Sequence, residues 1–241
     1  MMSNLRFKSR RAVASVVLAI LVSVLCILPV TPVRADDKAE AEQLVDKARV
    51  TFESLTVVKD MEALVSLVKK AKGVLIYPSV LRGAFIFGAS GGTGTFLVYD
   101  ASAKKWGGPA FYTLGDVSFG LQIGGDASEI VLVAMSDRGV SALQSASVKL
   151  GADASVAAGP VGVGAAAATQ GLSADIISFS RAKGAYAGIS LSGAVVGVRG
   201  SLNEGYYGKK EITPTDILIK RTVHNPHSAG LIGAVSKVAG H

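Results

Sequence analysis

Three stretches of this sequence have the residue types and spacing of a chemical site. Gly88-Ala89-Ser90-Gly91-Gly92 fits the G-x-S-x-G pattern of a nucleophilic serine. That chemistry needs a strand, a sharp turn and then a helix, with a histidine in reach as base. Thr93 to Tyr99 reads instead as a further strand, and His224, His227 and His241 all stand at the far C-terminus. Gly162-Val163-Gly164-Ala165-Ala166-Ala167 imitates a dinucleotide fingerprint, without the βαβ unit or the carboxylate about 20 residues on that the fingerprint requires. His224-Asn225-Pro226-His227 offers two imidazoles, but Pro226 disfavours a helical pairing and no carboxylate is near in sequence. These residues point away from an enzyme, a metal site and a bound cofactor.

What remains is surface chemistry. Lys69, Lys70 and Lys72 form one basic cluster, and Lys104, Lys105 and Trp106 a second, with Arg82 between them in sequence. An ammonium beside an indole suits a membrane interface, where the cation meets lipid phosphate and the ring lies at headgroup level. These residues are the candidate lipid-binding set, and anionic phospholipid the candidate partner. The same residues also fit a solvated helix end and a polar hairpin tip. Convergence of the two clusters on one face would favour the lipid reading.

The elements that must position them follow from periodicity. Leu44, Val45, Ala48, Phe52 and Leu55 recur at three- and four-residue spacing, which predicts a helix over Asp36 to about Val58. Asp60 is the expected N-cap of a second helix, to about Ala71, with Met61, Leu64, Val65 and Val68 inward and Gly73 as its stop. Val74 to Tyr77 reads as a short strand ended by Pro78. Ala84 to Ser90 and Thr93 to Tyr99 read as strands joined by a Gly91-Gly92 turn. Ala110 to Ile123, Ile130 to Met135, Ile176 to Ser180 and Tyr186 to Val198 complete the strands. Ser136-Asp137 caps a short helix, Thr213-Pro214 opens another, and Ser228 to Val238 forms the last. The Gly/Ala/Val stretch Val148 to Thr169 predicts closely packed strands or a loop. The order is helices, then strands, then short helices, without βαβ alternation. That is an α+β fold: N-terminal helices on a largely antiparallel, barrel- or sandwich-like sheet.

The N-terminus reads as an export signal. Arg6, Lys8, Arg10 and Arg11 precede an uncharged run from Ala12 to Val30, and Val33-Arg34-Ala35 offers a cleavage site before Asp36-Asp37. An uncleaved anchor is the alternative, since the run is about long enough to span a bilayer. Cys26 follows bulky Leu25 inside the run, so it does not read as a lipidated cysteine. The sequence predicts an exported, periplasmic or envelope-associated protein cut after Ala35, with a leader at 1–35, an amphipathic helix at 36–58 and a binding domain at 59–241 that packs with it. The formal charge of the chain is +7. Five basic residues and no acidic ones lie in the leader, which leaves 20 basic against 18 acidic residues, or +2, beyond it. A nucleic-acid partner loses its support at that charge. No cysteine remains after the leader, which excludes disulfides and cysteine-held metals there.

A family resemblance runs through the same stretch. Ala71-Lys72-Gly73-Val74-Leu75-Ile76-Tyr77-Pro78, Trp106-Gly107-Gly108-Pro109-Ala110-Phe111-Tyr112 and Gly120-Leu121-Gln122-Ile123-Gly124-Gly125 resemble the beginning and centre of the SYLF domain. Ile189-Ser190-Leu191-Ser192-Gly193-Ala194 and Asn203-Glu204-Gly205-Tyr206-Tyr207-Gly208 resemble its closing motifs. The resemblance covers roughly Leu55 to Leu218 and implies phospholipid binding. Eukaryotic members join the domain to SH3 or FYVE modules, and in yeast associate with actin. Bacterial members are exported single-domain proteins, as this chain reads, and an exported protein would not meet actin. In eukaryotic members an amphipathic N-terminal helix contributes to membrane binding. The acidic start of the 36–58 helix suits anionic lipid poorly, which moves the expectation to the lysines after the second helix.

Overall fold

Alternating apolar residues in the central strands point to two opposite cores, and this sets the architecture. The computed structural model describes residues 34–84, 88–118, 126–164, 173–182, 184–187 and 190–240, with only the backbone described at 34–36, 82–84, 88–90, 116–118 and 126. The leader, the SYLF-like motif at 120–125 and the start of the one at 189–194 therefore lie wholly or partly outside the described residues. Residues Ala35–His241 form one compact unit.

Helix α1 spans Arg34–Thr56 and α2 Glu62–Val68, with a 3-10 turn at Lys59–Met61 between them. Strands β1 (Gly73–Ala84), β2 (Gly88–Asp100), β3 (Lys105–Ser118) and β4 (Asp126–Ala134) follow. Then come α3 (Asp137–Gln144), β5 (Ser147–Lys149), β6 (Val156–Ala158), β7 (Ile176–Ala182), β8 (Ala185–Ala187) and β9 (Val195–Val198). The chain closes with α4 (Gly200–Tyr207), α5 (Pro214–Leu218) and α6 (Ala229–Ala239). The strands form one curled sheet, a half-barrel, in the order β5-β9-β3-β2-β1-β4-β7-β6, with β8 on β7. Every pairing is antiparallel except β6 with β7.

In β1, Val74 and Ile76 enter one core while Leu75 and Tyr77 enter the other. In β4, Val131 and Val133 oppose Ile130, Leu132 and Ala134 in the same way. Both faces are covered, so these strands read as unbroken apolar runs rather than alternating ones. On the first face α1 buries Ala41, Val45, Ala48, Phe52 and Leu55, joined by Leu64 and Leu67 of α2 and Leu231 and Val235 of α6. Each large side chain there is worth about 1.5–3 kcal/mol of burial. Val140 and Leu143 of α3 with Ile217 and Leu218 of α5 cover the second face.

Several boundaries differ from the sequence expectation. Pro78 does not end β1; the pairing registers with β2 and β4 both shift between Tyr77 or Ile76 and Val80, and a bulge tolerates a residue with no N–H to give. Gly91 and Gly92 lie inside β2 instead of turning it. Glycine is required at 92 and 94 because the bulged β1 backbone comes close. A Cβ at 92 would lie 2.5 Å from the Ser79 carbonyl oxygen, and one at 94 would lie 2.5 Å from that of Ile76. Asp60 sits in the 3-10 turn and α2 has no side-chain cap. Ser136 does cap α3, accepting the Gly139 N–H at 3.0 Å, and Thr213 with Asp216 forms a full capping box on α5.

Candidate functional site: a basic rim and groove at one end of the sheet

The two lysine clusters meet at the end of the sheet where β1 begins and β2 ends. The Lys72 N–H donates to the Ala134 carbonyl, and the Lys72 carbonyl accepts from the Tyr99 N–H, both at 2.9 Å. Lys72 is therefore the first rung between β2 and β4. Tyr99 pairs with Trp106 and Asp100 with Lys105, which places the second cluster on neighbouring rungs. Strands lie about 4.8 Å apart, so the Lys72 and Trp106 backbones are about 10 Å apart. The β2–β3 turn is fixed by Asp100, whose Oδ1 accepts the N–H groups of Ser102 (2.8 Å) and Ala103 (3.0 Å). Lys104 takes a left-handed conformation, φ 50°, to close it.

Arg221 completes this rim. It also adopts a positive φ, 52°, and its Nη1 pairs with Asp100 Oδ2 at 3.0 Å while Nη2 donates to the Lys105 carbonyl at 3.3 Å. Gly107 allows the guanidinium to lie across β3, since a Cβ there would come within 2.9 Å of the Arg221 Nε. The Ala103 N–H, then the Ser102 N–H and the Arg221 charge, hold the Asp100 carboxyl below the usual carboxylate range. Lys72 Nζ pairs with Asp137 Oδ2 at 2.5 Å, on the first turn of α3. Lys69, Lys70 and Lys104 are exposed and make no ion pair among the described residues. Six cations thus stand against two carboxylates, a local surplus of four positive charges, on a unit whose total is only +2.

Between these pairs runs a half-open groove of about 500 Å³. Val98, Val140, Leu218 and Ile219 supply its apolar lining, and Lys72, Asp137, Asp100 and Arg221 its charges. Beside Lys69, a second cleft lies where α1 gives way to α2, lined by Val57, Lys59, Glu62 and Val65. Val57 is 83% exposed at that corner.

Trp106 is not where the sequence reading puts it. It is buried in the first core with its ring 5.5 Å from that of Tyr99, so it cannot sit at a headgroup boundary. Its position in β3 alternates it inward, whereas a hairpin tip would have turned it out. Arg82 lies on β1 opposite Ser90 and Asp126, toward the far end of the sheet from Lys72, and its side chain is outside the described residues. Lys72, Lys104 and Lys105 come to this end of the sheet, and Lys69 and Lys70 lie just before Lys72, at the end of α2. Asp100, Asp137 and Arg221 were missed. Arg221 follows Lys220 just after α5, and no periodicity or spacing links it to the lysine clusters.

The other candidate chemistries lose their geometry. Ser90 is the third residue of β2, on rungs to Arg82 and Asp116, and the strand runs on to Asp100, so it is not at a strand–turn–helix elbow. His227 packs on α1, with Nε2 3.3 Å from Asp46 and 3.2 Å from the Glu42 carbonyl. Among the described residues no cluster of His, Cys, Asp and Glu suits a metal ion, and no helix is long and apolar enough to cross a membrane. The dinucleotide-like stretch from Ala165 onward lies outside the described residues. The apolar face of α1 is occupied by the sheet, α2 and α6. Arg181, paired with Glu129 and donating to Ser54 at 3.0 Å, ties α1 to β4 and β7.

Residues 115–238, just over half of the chain, match the family described as "Ysc84: Las17-binding protein actin regulator". The chain belongs to the Ysc84/SYLF family. It is 33% identical over 157 residues to an SH3 domain-containing protein of Schizosaccharomyces pombe, covering 64% of this chain and 36% of that protein. It is 31% identical over 160 residues to the human SH3 domain-containing YSC84-like protein 1, covering 65% of this chain and 45% of that one. Identity to Protein YSC84 of Saccharomyces cerevisiae is 30% over 147 residues, 59% of this chain and 31% of the other. The chain thus spans less than half the length of each of these curated relatives. Asp137 and Arg221 lie within the Ysc84 match, and the five rim lysines precede it.

Proposed function

We propose that this Ysc84-family protein is a non-enzymatic phospholipid-binding protein of the bacterial cell envelope, exported by its leader and cut after Ala35. It docks on anionic membrane through the rim of Lys69, Lys70, Lys72, Lys104 and Lys105. The observation that carries this reading is the surplus of four positive charges gathered at one end of the sheet. Each such charge near an anionic surface contributes roughly 1 kcal/mol, so about four contribute about 4 kcal/mol, a millimolar-class attraction to which apolar contact adds. Val57, exposed beside Lys59 and Lys69, supplies the apolar contact that the buried Trp106 does not. Sedimentation of the Ala35–His241 unit with phosphatidylglycerol vesicles at low salt tests the proposal, and no co-sedimentation would sink it.

The family description favours a second reading, a protein-interaction module in which lipid contact is incidental. A pull-down from envelope extracts that recovers one protein and no lipid would favour it.

A further inference from the structure

The groove beside the rim carries both signs of charge over an apolar lining, and the rim's attraction for anionic lipid does not account for that. We propose that the groove seats the headgroup of a zwitterionic phospholipid with a primary ammonium, of the phosphoethanolamine kind. The inference rests on reading the rim as a membrane-docking face and names the lipid that face selects.

Charge complementarity carries the argument. A purely anionic headgroup in the groove meets Asp100 and Asp137, and a purely cationic one meets Lys72 and Arg221. A headgroup with phosphate at one position and ammonium at another fits between opposite charges without leaving either side unbalanced. The two ion pairs divide the roles. Arg221 is held by Asp100, by the Lys105 carbonyl and by its fit over Gly107, which makes it a fixed positive wall. Lys72 and Asp137 are 45% and 87% exposed, and an exposed pair exchanges partners at little cost. In the bound state the Lys72 ammonium meets the phosphate, and the Asp137 carboxylate accepts hydrogen bonds from the lipid ammonium. Ile219, half exposed at the lip, and Leu218 and Val140 beneath it contact the glycerol and first methylenes. The groove's 500 Å³ is within the range of ligand-sized sites. A primary ammonium supplies N–H donors to the carboxylates. A quaternary one has none and favours an aromatic cage, whereas Tyr99 is the sole aromatic among the described residues lining this groove.

The test holds the anionic charge constant. Vesicles with one fixed fraction of phosphatidylglycerol are made up with either phosphatidylethanolamine or phosphatidylcholine, and binding of the Ala35–His241 unit is measured by sedimentation. About fivefold tighter binding to the phosphatidylethanolamine vesicles is expected. Asp137→Asn should abolish that preference; it also removes a negative charge beside Lys72, so affinity for both vesicle sets rises by up to about fivefold and the ratio between the sets is the readout. Equal binding of the parent to both sets overturns this inference and leaves membrane docking intact. Absence of binding to either overturns docking itself. In that case soluble glycerophosphoethanolamine decides the groove, followed by amide NMR shifts. Shifts at Lys72, Asp137 and Ile219 that vanish in Asp137→Asn support the site, and their absence in the parent overturns it.

Discussion

Reversing the charge of Lys69 and Lys70 should weaken binding to anionic vesicles at least about 30-fold at low salt. Both side chains are exposed at the end of α2, without an ion pair among the described residues, so nothing local competes for their charge. Losing two lysines near an anionic surface removes about 2 kcal/mol, a factor of about 30. Glutamate adds repulsion of similar size. The change also puts acidic groups at a helix C-terminus, where each costs about 0.3–1 kcal/mol of stability. Lys69→Gln with Lys70→Gln separates the two effects, since it should keep the 30-fold loss with less change in melting temperature. Raising ionic strength from 0.01 to 0.15 M shortens the screening length from about 30 to 8 Å and should shrink the difference between parent and variant. Vesicle sedimentation beside a melting curve reads both quantities. Unchanged affinity in a folded double variant would refute the reasoning and move the docking surface elsewhere.

Three further outcomes follow from the cores and caps. Phe52→Ala, in the first core, should cost about 3–5 kcal/mol in denaturant unfolding; a loss under 1 kcal/mol would mean that α1 is not docked. The Tyr77 hydroxyl is fully buried without a hydrogen-bond partner among the described residues, and burial with the neighbouring Tyr112 pushes its pKa up, so it stays neutral. Tyr77→Phe should therefore leave stability unchanged or raise it by about 1 kcal/mol, and a clear drop in melting temperature would reveal a hidden partner. The Asp216 carboxyl is pulled from 3.8 to about 2, first by the Thr213 hydroxyl and then by Lys220. Its contribution is present above about pH 4 and lost as pH falls through about 2. Thr213→Ala should cost about 1 kcal/mol at neutral pH and flatten the acid limb of the stability profile between pH 4 and 2, and an unaltered acid limb would count against the capping box.

Local rules made part of this fold legible. The α1 face reads from 3.6-residue spacing, and the caps at Ser136 and Thr213 read from side-chain oxygens placed before helices. The strand set emerged because the apolar runs are long, although their bounds did not. Pro78 and Gly91-Gly92 are turn signals by local rule, yet here one sits at a bulge and the other inside a strand that the bulge crowds. Those outcomes depend on the neighbouring strand, which local spacing does not contain. The rim was half legible. Lysines adjacent in sequence could be grouped, and the meeting of Lys72 with Lys105 required the register of β1, β2 and β3. Trp106 was misplaced because a single aromatic after a polar turn points in or out according to pleat phase. Arg221 and Asp100 are 121 residues apart, and their pairing is a product of the fold alone.

The central claim is that this Ysc84-family chain meets membrane through one end of its sheet. Nanodiscs containing phosphatidylglycerol and a spin-labelled lipid, mixed with the Ala35–His241 unit, test it residue by residue through broadening of amide NMR signals. The account predicts broadening at Val57, Lys69 to Lys72, Ala101 to Lys105 and Ile219, relieved by high salt. Broadening centred on the far end of the sheet, at Leu81 and Gly184, or on the outer face of α1, would contradict it.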